Sequence, residues 1–322
     1  MKVLITGITG FVGSHLAEYI LTNHPEVAVH GLKRWRSPKD NIRGILDKIQ
    51  LHDGDLRDLS SMVGVLQVSK PDIVFHLAAQ SFVTTSYSAP IDTLDCNISG
   101  TANLLEAIRI CGMNPVIHIC SSSEVYGQVA KEDLPIREEC PLRPVSPYAV
   151  SKVGEDMLGY MYWQAYGIKT IRTRMFTHSG PRRGEVFVDS FFSLQVARIE
   201  KGMQEPVIRV GNLDSVRTFA DVRDTVRAYW LLAQKCQPGE VYNIGGDVTM
   251  TIREMLDMLL GMTSYKGKIE VRVDPALIRP ADVTLQIPCA DKFKSETGWT
   301  AAIPYEQTLR DMLDFWRHEI QR

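Results

Sequence analysis

The apolar positions of this chain fall into short continuous runs separated by stretches with helical spacing. Val3, Leu4 and Ile5 run, with Thr6, into a glycine-rich turn. Val12, Leu16 and Ile20 then recur every four residues with Ala17 and Leu21 beside them, the pattern of an amphipathic helix. Further strands are predicted at 27–32, 49–52 and 73–78, with a helix over 58–68 that puts Met62, Val65 and Leu66 on one face. A helix over 98–111, a strand over 116–120, a long helix over 148–166 and a strand over 170–175 continue the alternation. Strands alternating with helices of this length imply parallel pairing and helices on both faces, an α/β doubly wound fold of the Rossmann type.

After Met175 the alternation loosens and prolines and arginines become frequent. A helix over 220–233 and a strand over 241–244 interrupt this region, and the strand could rejoin the sheet. The expected organisation is a nucleotide-binding domain of residues 1–175 plus 213–247. A smaller discontinuous C-terminal lobe of residues 176–212 plus 248–322 would close over it and bind substrate.

Charge narrows the function. Lys plus Arg (36) nearly cancels Asp plus Glu (38) in 322 residues. That balance argues against a protein that coats nucleic acid or a membrane surface, while leaving room for a local basic pocket. The six cysteines form no CxxC pair and several sit in apolar runs, so free thiols in a reducing compartment are expected, with a redox pair as the alternative. The histidines never pair at metal-ligand spacing, so no metal site is expected. Nothing approaches the roughly 20 apolar residues of a membrane helix, and the N-terminus does not read as a signal peptide. A cytoplasmic location follows as an expectation.

The first chemistry lies in the turn after strand one. Gly7, Gly10 and Gly13 stand between a strand and a helix, where glycine lets backbone N–H groups approach a pyrophosphate at the helix N-terminus. At the end of the second strand a carboxylate would hold a ribose 2′-hydroxyl, whereas cations accommodate a 2′-phosphate. Lys33, Arg34 and Arg36 stand there, with no carboxylate, which points to NADP(H); a solvated basic loop is the plainer alternative. Asp55 and Leu56 after the third strand could border the adenine. Leu77, Ala78 and Ala79 could line the cofactor after the fourth.

The second chemistry is Tyr148 with Lys152. Their spacing puts the ammonium one helical turn from the phenol on the same face, where a cation favours phenolate. Tyr148 can then exchange a proton with a substrate hydroxyl while hydride moves at the same carbon. Ser122, at the C-terminal edge of a predicted parallel strand, can hydrogen-bond the reacting oxygen. Glu124 offers a base for the carbon next to a ketone, or is an exposed loop carboxylate or helix cap.

Together these residues resemble the extended short-chain dehydrogenase/reductase family, in its nucleotide-sugar branch. GxxGxxG at 7–13, LAAQS at 77–81, SSEVYG at 122–127, SPYAVSK at 146–152 and RPADV at 279–283 fall in that family's order across nearly the whole chain. VHGLKR at 29–34, LAAQSFV at 77–83 and GPRRGEVFV at 180–188 are similar to GDP-mannose 4,6-dehydratases. SPYAVSK and VGNLDSVRTFADVRD at 210–224 are similar to GDP-4-keto-6-deoxy-mannose reductases.

The resemblance implies tightly held NADP, contacted by Thr9, Phe11, Val12 and His178 as well as by the residues above. It implies Ser122, Glu124, Tyr148 and Lys152 as catalytic groups, and a GDP-sugar substrate. Arg217 and Arg279 would grip the diphosphate, Val188 and Asp282 would lie near the nucleoside, and Ser81 and Thr177 would complete the substrate contacts. This chain departs from the dehydratase pattern at Gly10-Phe11-Val12-Gly13, at Ser122 where threonine is usual, and at Thr177 where asparagine is usual. The resemblance leaves open a lyase that uses NADP transiently, a 4-keto reductase, and another sugar dehydratase or epimerase. It also implies a homodimer or dimer of dimers through the helix over 148–166, whose Met157, Leu158, Met161, Tyr162, Trp163 and Tyr166 are otherwise core.

Overall fold

On strand β1 (Lys2–Thr6), Val3 and Ile5 enter one hydrophobic cluster and Leu4 another, because successive strand side chains face opposite sides of a sheet. A computed structural model describes residues 1–321. The chain continues through α1 (Phe11–Asn23), β2 (Ala28–Lys33), β3 (Gln50–Asp53), α2 (Leu59–Ser69) and β4 (Ile73–His76). Two short helices, α3 (Val83–Ser88) and α4 (Pro90–Leu94), and a π-helical turn at Asp95–Ser99 lead into α5 (Gly100–Ile110). Then follow β5 (Val116–Ser122), α6 (Pro147–Tyr166), β6 (Thr170–Met175), β7 (His178–Ser179), α7 (Val188–Glu200), β8 (Val207–Val210), β9 (Val216–Asp221) and α8 (Val222–Lys235). The remainder is β10 (Val241–Ile244), β11 (Val248–Thr251), α9 (Ile252–Leu260), β12 (Glu270–Val273), β13 (Leu285–Gln286), α10 (Asp291–Thr297) and α11 (Tyr305–Glu319).

Seven strands form one parallel sheet in the order β10-β6-β5-β4-β1-β2-β3. The order reverses between β1 and β4, the switch point at which doubly wound sheets bind ligands. Leu16 and Ile20 of α1, Tyr229 and Trp230 of α8, Phe293 of α10 and Trp299 pack on one face. Met62 and Leu66 of α2, Leu104 and Ile108 of α5 and Tyr162 of α6 cover the other. Doubly wound α/β architecture is therefore what the alternation encodes.

A second sheet is built around β9, with β11 antiparallel on one edge and β7 and β13 parallel at opposite ends of the other. Its apolar side packs with α7, α9 and α11 around Phe192, Phe219, Leu256 and Leu309. β8 and β12 pair separately.

Three boundaries differ from the sequence reading. Residues 216–221, expected in the nucleotide domain, belong to the second sheet, and Ala220 and Asp221 are strand rather than helix because their backbone pairs with His178 and Ser179 of β7. Phe293 and Trp299, expected in the C-terminal lobe, are core of the large sheet, and the Trp299 indole donates to the Asp224 carbonyl at 3.0 Å. The strand expected over 73–78 stops at His76, since Leu77 and Ala78 turn their N–H groups onto Thr6 Oγ1 at 3.0 and 3.1 Å.

β9 runs into α8 without an intervening residue. Asp221 at that junction accepts from the Arg223 backbone and from the Thr308 hydroxyl of α11 at 2.7 and 2.8 Å. Arg223 in turn pairs with both Asp221 and Asp311 of α11.

Candidate active site

The C-terminal ends of β1, β2, β4, β5 and β6 open into a cavity of about 1190 Å³ that continues onto the second sheet. Apart from Arg36, the residues expected from sequence at the cofactor, catalytic and substrate positions line this one cavity.

The floor is the turn between β1 and α1. Gly7 adopts a φ of +72°, and a Cβ there would press on the Ala78 backbone at 3.0 Å. A Cβ on Gly13 would meet the Gly7 carbonyl oxygen at 2.3 Å. Gly10 caps α1 with no side-chain hydrogen bond, leaving the N–H groups of the first turn for a ligand. A pyrophosphate fits this cradle. Thr9, Phe11, Val12, Leu77, Ala78 and Ala79 form its walls.

At the end of β2 the three expected cations separate. Lys33 is buried and bound to Asp53, its register partner on the neighbouring parallel strand. Arg36 stacks over the exposed Trp35 ring at 5.0 Å and does not reach the cavity. Arg34 does reach it, beside Ser37 and Arg57, which the sequence reading did not single out. Asp55 is held by Arg57 through Nε and Nη2 at 3.2 and 3.1 Å, and that pairing keeps its carboxyl below the ordinary range.

α6 begins where Ser146 Oγ accepts from the Ala149 N–H at 3.0 Å and Pro147 occupies the first turn. That start carries Tyr148 and Lys152 into the cavity wall. Lys152 Nζ lies 5.9 Å from the Tyr148 ring centre and donates to the Cys120 carbonyl at 2.9 Å and to Glu155 at 3.0 Å. Burial would lower its pKa, but Glu155, Tyr148 and Cys120 together raise it, so the side chain is an ammonium at neutral pH. Burial pushes the Tyr148 phenol up, and Lys152 and Ser122 only partly offset this. The sequence reading expected a net lowering; burial of the phenol outweighs the cation beside it.

Ser122 ends β5, and its hydroxyl accepts from the Glu124 N–H at 3.2 Å, turning the chain so that Glu124 also faces the cavity. Burial raises the Glu124 carboxyl, while Arg217 and Arg279 draw it down without cancelling that rise. It is thus neither exposed nor an N-cap, the two plainer readings of this position.

Arg217 of β9 is half-buried, pairs with Asp282 at 3.5 Å, and has its pKa lowered by desolvation. Asp282 also accepts from Asn212 at 2.9 Å and from Ser215 at 2.7 Å. Val188 opens α7, Ser81 lies exposed at the rim, and Thr177 gives its carbonyl to the Ala220 N–H. His178 donates through Nδ1 to the Phe176 carbonyl at 3.1 Å and stacks on Phe11 at 5.9 Å. Burial holds its pKa down at about 4, so the ring is neutral at physiological pH.

Besides Ser37 and Arg57, sequence reasoning missed Arg183 and Asn97. Arg183 lines the cavity with its guanidinium on the Phe187 ring at 4.6 Å and its charge paired with the buried Asp189. Asn97, in the π-helical turn, bonds Ser151 at 2.8 Å and the Gln80 backbone at both N–H and carbonyl, fixing the cavity wall beside α6. The run Asn97-Ile98-Ser99-Gly100-Thr101 carries polar residues inside a helical pattern, which was the available signal.

All six cysteines are free thiols. Among the described residues no cluster of three His, Cys, Asp or Glu side chains could hold a metal ion, and no helix is long and apolar enough to cross a membrane.

A family profile described as GDP-mannose 4,6 dehydratase matches residues 4–312. A GDP-mannose 4,6-dehydratase of Vibrio cholerae is 34% identical over 97% of this chain and 92% of its own length. A GDP-6-deoxy-D-mannose reductase of Pseudomonas aeruginosa is 32% identical over 99% and 98%. Among solved structures, RMD from Pseudomonas aeruginosa complexed with NADPH superposes with a TM-score of 0.86 at 32% identity, covering 99% of both chains.

Proposed function

This chain belongs to the GDP-mannose 4,6 dehydratase family, and we propose that it converts GDP-mannose to GDP-4-keto-6-deoxy-mannose with NADP as cofactor. The observation that carries this reading is Glu124, a half-buried carboxyl raised above its ordinary range, on the same cavity as Ser122, Tyr148 and Lys152. Such a group suits removal of an acidic C–H proton and its delivery to a leaving hydroxyl.

The glycine cradle, Arg34, Arg57, Ser37 and the neutral His178 would hold NADP, which when bound takes hydride from the sugar C4 and gives it back at C6. Ser122 hydrogen-bonds the 4-oxygen. Tyr148 takes the 4-hydroxyl proton, aided by the Lys152 cation. The resulting 4-ketone acidifies C5, whose proton Glu124 accepts and transfers to the departing C6 hydroxyl, releasing water. Glu124, reprotonated from solvent, would return a proton to C5 as C6 is reduced, and Tyr148 would release the 4-hydroxyl proton to solvent, so that protons and hydride balance over the cycle. Arg217 and Arg279 match the diphosphate, since guanidinium forks suit phosphate oxygens. Binding would draw Arg217 from Asp282, freeing that carboxylate toward the nucleoside.

Mass spectrometry of a reaction with GDP-mannose and no added reductant tests the reading. Loss of one water with no net change in reduced nicotinamide is expected. A second reading, reduction of the 4-keto-6-deoxy sugar by NADPH, is favoured by length. The reductase aligns over 320 residues, whereas the dehydratase needs 352, so the latter carries insertions this chain lacks. Inert GDP-mannose together with NADPH consumption on the 4-keto sugar would establish that reading instead.

We further propose a homodimer through α6 and action in the cytoplasm. One face of α6 leaves Met157, Tyr160 and Met161 between 41% and 45% exposed, while Tyr162 packs inward. A contiguous apolar face of this kind marks an interface. Sedimentation of wild type against Met161→Glu checks it, with a monomeric wild type as the contrary result.

A further inference from the structure

The mechanism above has no use for Glu155, yet it stands one turn beyond Lys152 on α6 and is buried. Both of its carboxylate oxygens lie 3.0 Å from Lys152 Nζ, Oε2 as hydrogen-bond acceptor and Oε1 without a hydrogen bond. An incompletely satisfied buried carboxylate is costly, and an apolar residue would serve packing better.

Its surroundings isolate the pair. On α6 it faces Lys152, with Tyr148 and Asp156 close by. Arg172 and Arg174 of β6 are both taken by Asp156, at 2.8 Å each. β5 contributes Cys120 and His118, β4 contributes His76, and Tyr229 of α8 reaches Cys120 at 3.4 Å. Burial lowers both histidines to about 3, so neither brings charge at neutral pH. Among the described residues Lys152 is therefore the one cation paired with Glu155.

We propose that Glu155 is a positioning residue that anchors the Lys152 ammonium and, by its own protonation, sets how strongly that cation acts on the Tyr148 phenol. Ionised Glu155 matches the lysine charge and leaves the phenol protonated. Protonated Glu155 exposes Tyr148 to the whole field of the ammonium and favours phenolate. Burial pushes the Glu155 carboxyl up to about 7, which places the exchange near neutral pH. The proposal rests on Tyr148 being the proton-transferring group, but not on which sugar it serves.

Two measurements test it without a sugar nucleotide. The ultraviolet phenolate band of Tyr148 is isolated by subtracting Tyr148→Phe and followed with pH. In Glu155→Gln its midpoint falls by roughly one pH unit or more, about tenfold in the ionisation constant, and Glu155→Asp restores the wild-type value. An unchanged or raised midpoint in Glu155→Gln overturns the proposal. Should that variant not fold, the wild type decides. Its Lys152 Cε resonance, assigned by loss in Lys152→Met, shifts as Glu155 titrates near neutral pH, and a trace flat through that range overturns it. Retained activity in Tyr148→Phe would instead remove Tyr148 from the mechanism, a separate failure.

Discussion

Gly13 sits so close to Gly7 that an added β-carbon would lie 2.3 Å from the Gly7 carbonyl oxygen. No small adjustment relieves a clash between two backbone segments. Gly13→Ala is expected to abolish measurable NADP(H) binding by fluorescence titration while the far-ultraviolet dichroism of the fold survives. Wild-type affinity in that variant would show that the cradle does not hold the pyrophosphate.

Glu124→Gln keeps shape and removes the base. Turnover of GDP-mannose should drop about 10²- to 10⁴-fold, the usual worth of a positioned acid–base group, with NADP(H) affinity unchanged. The sign of its pH dependence follows from burial, which raises the carboxyl above its ordinary 4.5. The reactive carboxylate is populated only above that raised value, so turnover falls on acidification earlier than an ordinary carboxylate would require. An acid limb at or below 4.5 would show that another group limits the rate.

Arg34 reaches the cavity while Lys33 is bound to Asp53. Arg34→Asp should therefore weaken NADP(H) about 10- to 100-fold relative to NAD(H), in line with losing one charge-assisted phosphate contact of about 1.5–3 kcal/mol. Lys33→Ala should change that preference much less. Calorimetric titration of both cofactors separates the two, and equal losses would contradict the assignment.

Asp156 is buried between Arg172 and Arg174. Asp156→Asn leaves two buried guanidiniums without a counter-charge, a loss of about 3–5 kcal/mol for a broken buried pair. Urea denaturation should show it as a lowered midpoint; a midpoint within error of wild type would place the network's contribution elsewhere.

Which of these features could be read in the sequence follows from the range of the interactions. The cradle, the YxxxK pair and Ser122 are local: a turn, a helical spacing and a strand end bring their members together. The fate of Lys33 is not local, since Asp53 becomes its partner only through the register of β2 with β3. Likewise the end of β4 depends on Thr6, some seventy positions away, competing for two backbone N–H groups. Glu155 reads in sequence as one more charge on a helix, and only packing against β5 turns it inward. Ala220 and Asp221 read as helix because β9 runs straight into the helix that follows it.

A two-lobed enzyme is commonly pictured as a jaw that shuts on its substrate. Here β9 passes directly into α8, and Asp221 bonded to Thr308 and Arg223 bridging to Asp311 tie the two sheets together with no linker between them. Arg279 and Asp282 instead stand on residues 274–282, a stretch exposed over most of its length at the cavity wall.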